Sequence, residues 1–341
     1  MVQRKSLALT STELVTLLYI LVTSVMIAFM WDGFTDPWAM LRLRVTALAT
    51  IVGSNIVAFF ISSTNWHRTH EATGRRVTRA VRIFPLMVFL IWWYPETFEF
   101  CSQFPYQDHV FAGTDQHLFG CQPALEFDRL MPSALASELF CLGYYSYYYM
   151  MAAVIVFYLL RRYDQIDKAE FIFLGSFFLF YLVYEFLPVA GPQFYFRALM
   201  DMGEVSDLSP SSSFTGMFAE GFPQVGDYFR SHRDMISPET HGLFGQLVIG
   251  AQEIGERPTA AFPSSHVGIS TILMLLAWNS RNKCLFWIMF PLYILLFCGT
   301  VYIKAHYLID SIAGFFTALA FYWLTAKIYS QYRISRLMSH L

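Results

Sequence analysis

Apolar stretches separated by short polar segments run along most of this chain of 341 residues. Eight of them carry few or no charges and approach the length that a helix needs to cross about 30 Å of hydrocarbon. Backbone amides must be paired inside a bilayer, so such stretches are expected to be helical. The pattern therefore predicts an all-α protein, a polytopic membrane helical bundle with about eight transmembrane helices. The predicted spans are residues 14–30, 45–62, 80–94, 134–160, 169–189, 264–278, 284–303 and 308–328.

The third and sixth of these spans are short for a complete crossing. One of the two is therefore expected to be re-entrant, or to begin further out than its apolar residues indicate. The first span is too long for a signal peptide and lacks a small-residue cleavage site. We interpret it as a retained anchor.

The composition agrees with a membrane protein. Hydrophobic residues make up 56% of the chain and charged residues 14%, against about 25% charged residues in soluble domains. The mean hydropathy is +0.44. This composition excludes a soluble enzyme and gives no indication of a nucleic-acid partner. The formal net charge of −2 says little, because the distribution of Lys and Arg among the loops carries the information in membrane proteins.

The basic residues predict an orientation. With eight crossings their five clusters all fall on one side, which places both termini in the cytoplasm. Arg42 and Arg44 fall on the opposite side, but segment 96–128 on that side is acidic and fits a periplasmic or lumenal face. The clusters are Arg4 and Lys5; Arg68, Arg75, Arg76, Arg79 and Arg82; Arg161, Arg162 and Lys168; Arg281 and Lys283; and Arg333 and Arg336.

Two connections, about residues 96–133 and 191–262, are long enough to form structure of their own, and both are predicted on the outer face. Long loops in compact proteins are usually functional or disordered. We expect these two to cap a site in a single integral membrane domain, residues 1–341, whose catalytic core covers about residues 134–329. The serine-rich stretch 206–221 is predicted to be a mobile part of the cap.

The outer loops and their borders hold two further features. Cys101 and Cys121 lie in the first loop, where an oxidising compartment would permit a disulfide, although their spacing can also be a coincidence. Segment 143–149 contains five tyrosines at the outer end of the fourth predicted helix. Tyrosines there commonly form an interfacial aromatic belt. The alternative is a contact surface for a lipid headgroup, because adjacent hydroxyls must occupy several faces of the helix, including inward ones.

Two short segments carry the candidate chemistry: Pro263-Ser264-Ser265-His266 and, about forty residues later, His306-Tyr307-Leu308-Ile309-Asp310. Residues four apart lie on one face of a helix, and a carboxylate beside an imidazole fixes its tautomer and raises its basicity. His306 is therefore a candidate nucleophile and Asp310 the residue that orients it. His266 is a candidate acid that protonates the leaving group and later deprotonates the acceptor.

Candidate substrate contacts surround these residues. Ser264 and Ser265 lie at a predicted helix N-terminus, where free N–H groups and the helix dipole favour an anion. Arg257 and Lys304 could supply positive charge. Together the residues predict phosphoryl transfer inside a membrane. No metal or cofactor is expected, because phosphohistidine chemistry uses protein groups throughout.

These motifs resemble those of the type 2 phosphatidic acid phosphatase superfamily. Its second motif is Pro-Ser-Gly-His, and its third is Ser-Arg, five residues, His, three residues and Asp. The chain has Pro263-Ser264-Ser265-His266 for the second, and Gly299-Thr300, five residues, His306, three residues and Asp310 for the third. The resemblance implies the core bundle of that fold, with His266, His306 and Asp310 as acid, nucleophile and orienting residue. It covers mainly residues 181–318.

Two positions depart from the family pattern. Thr300 replaces the arginine of the third motif. The first motif, Lys followed by six residues and Arg-Pro, is half present as Arg257-Pro258, with Gly250 in place of the lysine. Loss of these cations disfavours a phosphomonoester, which is a dianion, and favours a phosphodiester, which carries less charge.

A branch of that superfamily, the inositol phosphorylceramide and sphingomyelin synthases, has His-Tyr-x-x-Asp in the third motif and also lacks the arginine. The segment from His306 to Asp310 is similar to it, which makes Tyr307 a further candidate substrate contact. The Pro-rich turn at residues 187–193 is similar to another motif of the inositol phosphotransferase branch.

The expected activity is that of a lipid phosphotransferase. It moves a phosphate-containing headgroup, such as inositol phosphate, between a lipid and a hydroxyl acceptor through a phosphohistidine intermediate. The alternative is a lipid phosphate phosphatase that hydrolyses a phosphomonoester or a pyrophosphate lipid. Two more remote alternatives are a metal-dependent membrane enzyme, in which two histidines and an aspartate form a facial triad, and a transporter. The expected partners are a lipid phosphate or phospholipid, a hydroxyl acceptor or water, and the membrane.

Overall fold

The computed structural model describes residues 9–205, 208, 218, 221–238, 240 and 242–338. Arg4, Lys5 and most of the serine-rich stretch 206–221 lie outside these ranges. Every regular element within the ranges is helical. The all-α architecture that the hydropathy pattern predicts is therefore confirmed.

Fifteen α-helices follow one another in the described part of the chain. Side chains cap several of them at the N-terminus: Thr10 and Glu13 form a capping box on the first, and Asp36 accepts from the Ala39 N–H before Pro37 begins the second. The helices are α1 (Ser11–Phe29), α2 (Pro37–Ser63), α3 (Asn65–Thr69), α4 (Glu71–Val88), α5 (Leu90–Cys101), α6 (Asp108–Phe119), α7 (Pro123–Leu130), α8 (Ala134–Arg161), α9 (Ile166–Phe186), α10 (Pro192–Asp201), α11 (Val225–Ser231), α12 (Leu243–Gly255), α13 (Ser265–Asn279), α14 (Lys283–Tyr302) and α15 (Leu308–Met338).

Seven helical segments among the described residues are long and apolar enough to cross a bilayer, which confirms an integral multi-pass membrane protein. The third predicted span proves long enough, because α4 and α5 together extend it to Glu71–Cys101. Its first turns carry the arginines of the second basic cluster, so the apolar pattern alone did not show where the helix begins. The sixth span corresponds to α13, whose 15 residues make it about 22 Å long at 1.5 Å per residue.

The chain divides into two compact units that interleave in sequence. The first comprises residues 1–96, 153–178 and 323–341, and the second comprises residues 97–152 and 179–322. Helices α5, α8, α9 and α15 contribute residues to both. The second unit contains the two predicted cap loops and every candidate site residue.

Charged residues of the first unit are paired in its interior. Arg44 in α2 is buried and donates to the equally buried carboxylate of Glu96 in α5. A buried charge inside a membrane protein requires such a partner. This pairing gives Arg44 a packing role, and explains why it departs from the charge distribution of the other basic residues. Further ion pairs of this unit join Arg82 to the buried Glu13, and Arg79 to the buried Glu170 and the partly exposed Asp167.

In the second unit, α8 crosses α14 at a very close approach. A Cβ added to Gly143 in α8 would lie 2.4 Å from the backbone of Leu295, and one added to Gly299 in α14 would lie 2.6 Å from the carbonyl oxygen of Phe140. Small residues permit such contacts between membrane helices. The crossing holds the first half of α8 against the end of α14, where the chain turns towards α15.

The two long loops have a buried core of their own. Aromatic and aliphatic side chains from α6, α10 and α11 pack together with residues of the segments between them, and Tyr307 joins this cluster from the turn between α14 and α15. The loops are therefore attached to the turn between α14 and α15 through apolar packing. The fully buried aromatic members are Phe194, Tyr195, Phe196, Phe229 and Tyr307.

Candidate active site

His266 lies in the first turn of α13. The Phe262–Pro263 peptide bond before it is cis, and Ser264 caps the helix by accepting a hydrogen bond from the Val267 N–H at 3.3 Å. The Ser264 N–H donates to the carbonyl of Asp310 at 3.0 Å. This bond joins the start of α13 to the first turn of α15, and so brings the two sequence motifs together.

His306 lies in the turn between α14 and α15. Lys304 has a φ of 64°, and its N–H donates to the Val301 carbonyl, which ends α14. The His306 N–H then donates to the Thr300 carbonyl at 3.1 Å. Lysine adopts this left-handed conformation less readily than glycine, so the surroundings must hold the turn in place. The chain reverses here within a few residues.

The imidazole rings of His266 and His306 are neighbours in an edge-to-face arrangement. Their ring centroids are 5.7 Å apart and their planes are inclined at 63°. A nucleophile approaches its target atom at about 3–3.5 Å, and a general acid lies about 2.6–3.2 Å from the atom that it protonates. The two rings are therefore close enough for both to contact one small group.

The carbonyl of Ala261 orients the ring of His306. It lies 2.8 Å from Nδ1 and can only accept, so Nδ1 carries the proton and the lone pair is on Nε2. Ala261 is fixed in turn, because its N–H donates to the Val189 carbonyl at 3.0 Å. Burial lowers the pKa of His306 to about 4. The imidazole is therefore neutral at pH 7, which is the form that a nucleophile requires.

Asp310 does not make the direct hydrogen bond to His306 that its spacing predicts. The distance from Nδ1 of His306 to Oδ2 of Asp310 is 3.9 Å, and Oδ2 instead accepts from the Tyr307 N–H at 2.9 Å. The expectation assumed that both residues lie in one helix, whereas α15 begins only at Leu308. Asp310 therefore lies beside His306 without binding it directly.

Aromatic rings hold His266 from the other side. Tyr144 stacks on its imidazole with centroids 4.4 Å apart, and Tyr147 lies at 4.7 Å. Both tyrosines are buried, whereas Tyr148 and Tyr149 are exposed. The tyrosine-rich segment therefore divides between an outward face and an inward face, as its adjacent hydroxyls required.

Comparison with known families identifies this arrangement. A profile described as the PAP2 superfamily matches residues 114–324, more than half of the chain. The chain belongs to the PAP2 superfamily. No curated protein sequence and no solved structure matches it significantly. PAP2 members are phosphatases and phosphotransferases, so the protein is a membrane-bound lipid enzyme of that type.

The two serines of this PAP2 enzyme differ in their contacts. Ser264 is completely buried, and both its hydroxyl and its N–H are used in the contacts described above. Ser265 begins α13 and interacts with Tyr184, whose hydroxyl donates to the Pro263 carbonyl at 2.7 Å. Ser264 therefore acts as a helix cap, and Ser265 stays a predicted substrate contact.

Lys304 and Tyr307 contact acidic residues of the loops. The ammonium group of Lys304 forms an ion pair with Asp128, just after the middle of α7. The hydroxyl of Tyr307 donates to Asp108 in α6 at 3.1 Å, and the side chain is fully buried. Both residues therefore link the turn between α14 and α15 to the first loop.

Residues of the first loop contact the short segment that contains the half-motif Arg257-Pro258. Tyr106 donates to the Pro258 carbonyl at 2.8 Å, and the sulfur of Cys101 lies 3.0 Å from the hydroxyl of Thr259. Cys101 and Cys121 are both free thiols, so no disulfide joins them. Arg257 donates to the Glu256 carbonyl at 2.7 Å.

Thr300, which replaces the family arginine, is enclosed by its own helix and the next. Its hydroxyl donates to the Phe297 carbonyl at 2.8 Å and lies 2.9 Å from the hydroxyl of Ser311. The residue is fully buried. This PAP2 enzyme has a neutral, internally satisfied side chain where its family pattern has a cation.

Three residues close to the PAP2 motifs were not predicted as part of the site. Ala261 acts through its carbonyl, which no side-chain pattern can show. Asp108 and Asp115 belong to the first loop and accept hydrogen bonds from the backbone around the motifs. Their spacing of seven residues, which puts both on one face of a helix, was the available signal.

Proposed function

We propose that this enzyme transfers a phosphate-containing lipid headgroup to a hydroxyl acceptor through a phosphohistidine on His306. The observation that carries the proposal is the hydrogen bond from Nδ1 of His306 to the Ala261 carbonyl. It leaves a neutral ring with its lone pair on Nε2, and His266 lies opposite. These are the parts that covalent phosphoryl transfer needs.

In the first half-reaction, Nε2 of His306 attacks phosphorus and forms a P–N bond. The P–O bond to the lipid alcohol breaks, and His266, which enters this step as an imidazolium, gives one proton to the departing oxygen and becomes neutral. In the second half-reaction, His266 takes the proton of the acceptor hydroxyl, whose oxygen attacks phosphorus. The P–N bond breaks and both histidines return to their starting states. Phosphate, protons and electrons balance without a further reactant.

A phosphodiester donor suits the charges around the site better than a phosphomonoester. Thr300 stands in place of the family arginine and is already hydrogen bonded. Lys304 is neutralised by Asp128. Inositol phosphate is one headgroup of this class. The Pro-rich turn at residues 187–193 supports it through its similarity to a motif of the inositol phosphotransferase branch, and residues 306–310 through their similarity to the inositol phosphorylceramide and sphingomyelin synthases.

An apolar cleft supports a lipid donor. It lies beside the turn between α14 and α15, residues 303–307, which is the catalytic turn of the proposed reaction. Its volume is about 270 Å³, and it includes Leu308, two residues after His306. An acyl chain near a glycerol or ceramide oxygen would lie against such a surface. Phe127 and Leu130 of α7 and Phe297 and Val301 of α14 also line the cleft.

The test is a donor and acceptor assay. The purified enzyme in mild detergent is incubated with phospholipids radiolabelled in the headgroup phosphate, with and without inositol, ceramide or diacylglycerol, and His306→Ala is the control. We expect labelled headgroup on an added hydroxyl acceptor and little free phosphate. Release of inorganic phosphate from a phosphomonoester, without any transfer, would instead establish a hydrolase.

We also propose that the site faces away from the cytoplasm, with both termini inside. The two histidines meet at the start of α13 and the end of α14. These two helices therefore run in opposite directions, and the short α13 counts as a crossing. An even number of crossings follows, which agrees with the basic clusters.

Thiol labelling tests this orientation. Cys284 is exposed at the start of α14, and Cys121 is partly exposed in the first loop, at the opposite end. In a variant in which Cys298 is serine, an impermeant maleimide should label Cys121 in sealed vesicles whose interior is the cytoplasmic side. Cys284 should react only after the vesicles are permeabilised. Labelling of Cys284 before permeabilisation would reverse the orientation, and the Cys121→Ser and Cys284→Ser variants assign each signal.

A further inference from the structure

Helix α6, in the first loop, carries two carboxylates on one face. Asp108 is 1% exposed and Asp115 is completely buried. Neither has a cationic partner among its hydrogen bonds in the described part of the chain. Each accepts from backbone N–H groups of segments that are distant in sequence. A buried carboxylate that binds backbone fixes the position of that backbone.

Asp108 holds the Pro-rich turn at residues 187–193, which in turn supports His306. It accepts from the N–H groups of Ala190 and Gly191 at 2.9 Å and 2.8 Å. The adjacent Val189 carbonyl accepts from Ala261, and the Ala261 carbonyl binds Nδ1 of His306. Each link of this chain is a hydrogen bond of ordinary length, so the position of the imidazole depends on a carboxylate in the loop.

The same turn also touches the residues just before His306. Gly191 has a φ of 91°, and a Cβ there would lie 2.7 Å from the Ala305 carbonyl oxygen. Two residues later, the Gln193 N–H donates to the Lys304 carbonyl at 2.9 Å. A shift of the turn would therefore shift the backbone on which His306 is carried.

Asp115 acts on the other side of the nucleophile. It accepts from the N–H groups of Leu308 and Ile309 at 2.8 Å and 3.0 Å, which are the first two residues of α15. These groups have no partner within the helix, and a negative charge is favourable at a helix N-terminus. Asp115 thus caps α15 from another part of the chain.

We propose that Asp108 and Asp115 are positioning residues that fix the catalytic turn, so that Nε2 of His306 meets the phosphorus atom in line. The inference rests on the proposed function, because it assigns these residues to the phosphoryl transfer by His306. Neither carboxylate contacts substrate. Both act through the backbone on either side of the nucleophile.

The primary test replaces each aspartate with asparagine, which keeps the shape but presents an N–H donor where the carboxylate accepted. We expect Asp108→Asn and Asp115→Asn each to lower kcat by about 10- to 100-fold, because a misplacement of about 1 Å costs that much. KM should change by less than about threefold, because neither residue binds substrate. The matched control is Asp227→Asn, an exposed aspartate of the second loop, which should retain full activity.

The pH dependence of kcat in the wild type provides a second test, which does not depend on the folding of any variant. Burial raises the pKa of Asp108 and of Asp115 to about 6, although the N–H groups that they accept lower both values. A protonated oxygen can no longer accept, so kcat of the wild type should fall as the pH drops through about 6. The donor should be a phosphodiester, because phosphomonoesters titrate near pH 6 themselves. Titratable groups that interact with the two aspartates are Cys101, Tyr106, Tyr195, Tyr307 and Asp310 for Asp108, and Cys121 and Asp310 for Asp115.

Loss of stability does not explain this acid limb. A carboxylate whose pKa is raised by folding binds its proton more tightly in the folded state than in the unfolded state between about pH 4 and 6. These two groups therefore add to the free energy of unfolding as the pH falls through that range. Thermal unfolding measured across it should show no decrease caused by them. In the Asp108→Asn, Asp115→Asn double variant, the acid limb near pH 6 should disappear.

The outcomes separate this inference from the proposed function. If the wild type forms phosphohistidine and the asparagine variants form it at the wild-type rate, the positioning role is wrong and the proposed function stands. A rise in KM with unchanged kcat, or an acid limb that persists in the double variant, would also overturn it. If the wild type forms no phosphohistidine at all, the proposed function itself fails.

Discussion

Turnover of the His306→Ala variant should be lower than that of the wild type by about four orders of magnitude or more, because loss of a nucleophile removes the covalent route altogether. The reaction is not expected to pass to another residue. Nε2 of His306 is placed opposite His266, with the two ring centroids 5.7 Å apart. The measurement is steady-state transfer of labelled headgroup to the best acceptor of the donor and acceptor assay.

A second variant separates chemistry from folding. Asparagine at position 306 can still donate to the Ala261 carbonyl but has no nucleophilic nitrogen, whereas alanine leaves that buried carbonyl without this partner. His306→Asn should therefore be as inactive as His306→Ala, but more stable than it by about 1–3 kcal/mol. His232→Ala, an exposed histidine of the second loop, should be fully active.

Direct trapping decides the identity of the intermediate. The enzyme is mixed with a phosphorus-labelled donor in the absence of acceptor and quenched in alkali, because a P–N bond is labile in acid. Label should remain on the wild type and on His232→Ala, and on neither variant of His306. Label retained by His306→Asn would show that another residue is the nucleophile.

The fold follows from hydropathy more completely than from any other feature of the sequence. Each predicted span coincides with a helix, because a stretch of apolar residues in a bilayer has few alternatives to a helix. The ends of the helices were harder to predict from the sequence. The third span begins among arginines whose partners, such as Glu13 and Glu170, are distant in sequence. Charge alone marked those arginines as loop residues.

The site was predictable where it depends on side chains and not where it depends on backbone. His266 and His306 meet as their motifs imply, because α13 and α14 form an antiparallel pair. The group that orients His306 is a carbonyl, and its spacing to Asp310 was misleading because α15 starts at Leu308. Backbone donors and acceptors are the same at every residue, so the sequence does not reveal which of them will be used.

The contacts that fix the backbone around His306 also join the long loops to the turn that carries it. Ala260 and Lys304 both have left-handed φ values, of 65° and 64°, and each lies within two residues of a group that contacts or carries the His306 ring. Such conformations persist only where the surroundings over-determine them. Tyr307 and the two aspartates of α6 provide those surroundings.

His266 is the second residue whose removal should greatly lower turnover. Its role as acid matters only if the leaving oxygen needs a proton, so the effect of removing it should depend on the leaving group. With a phospholipid, whose leaving alcohol is a poor leaving group, His266→Ala should lower turnover by about 10²- to 10⁴-fold. With a nitrophenyl phosphodiester, whose leaving group departs without protonation, the first half-reaction should proceed at close to the wild-type rate.

The second half-reaction still requires a base, so it should remain slow in His266→Ala with either donor. The variant should therefore release one nitrophenolate per active site in a burst, and then accumulate the phosphorylated enzyme. A stopped-flow measurement of nitrophenolate, with trapping of the labelled enzyme at the end of the burst, reports both steps. Thermal unfolding of the variant checks that the space left beside Tyr144 and Tyr147 has not disrupted the bundle. An equal loss of rate with both donors, and no burst, would show that His266 serves to bind the phosphoryl group and not to transfer a proton.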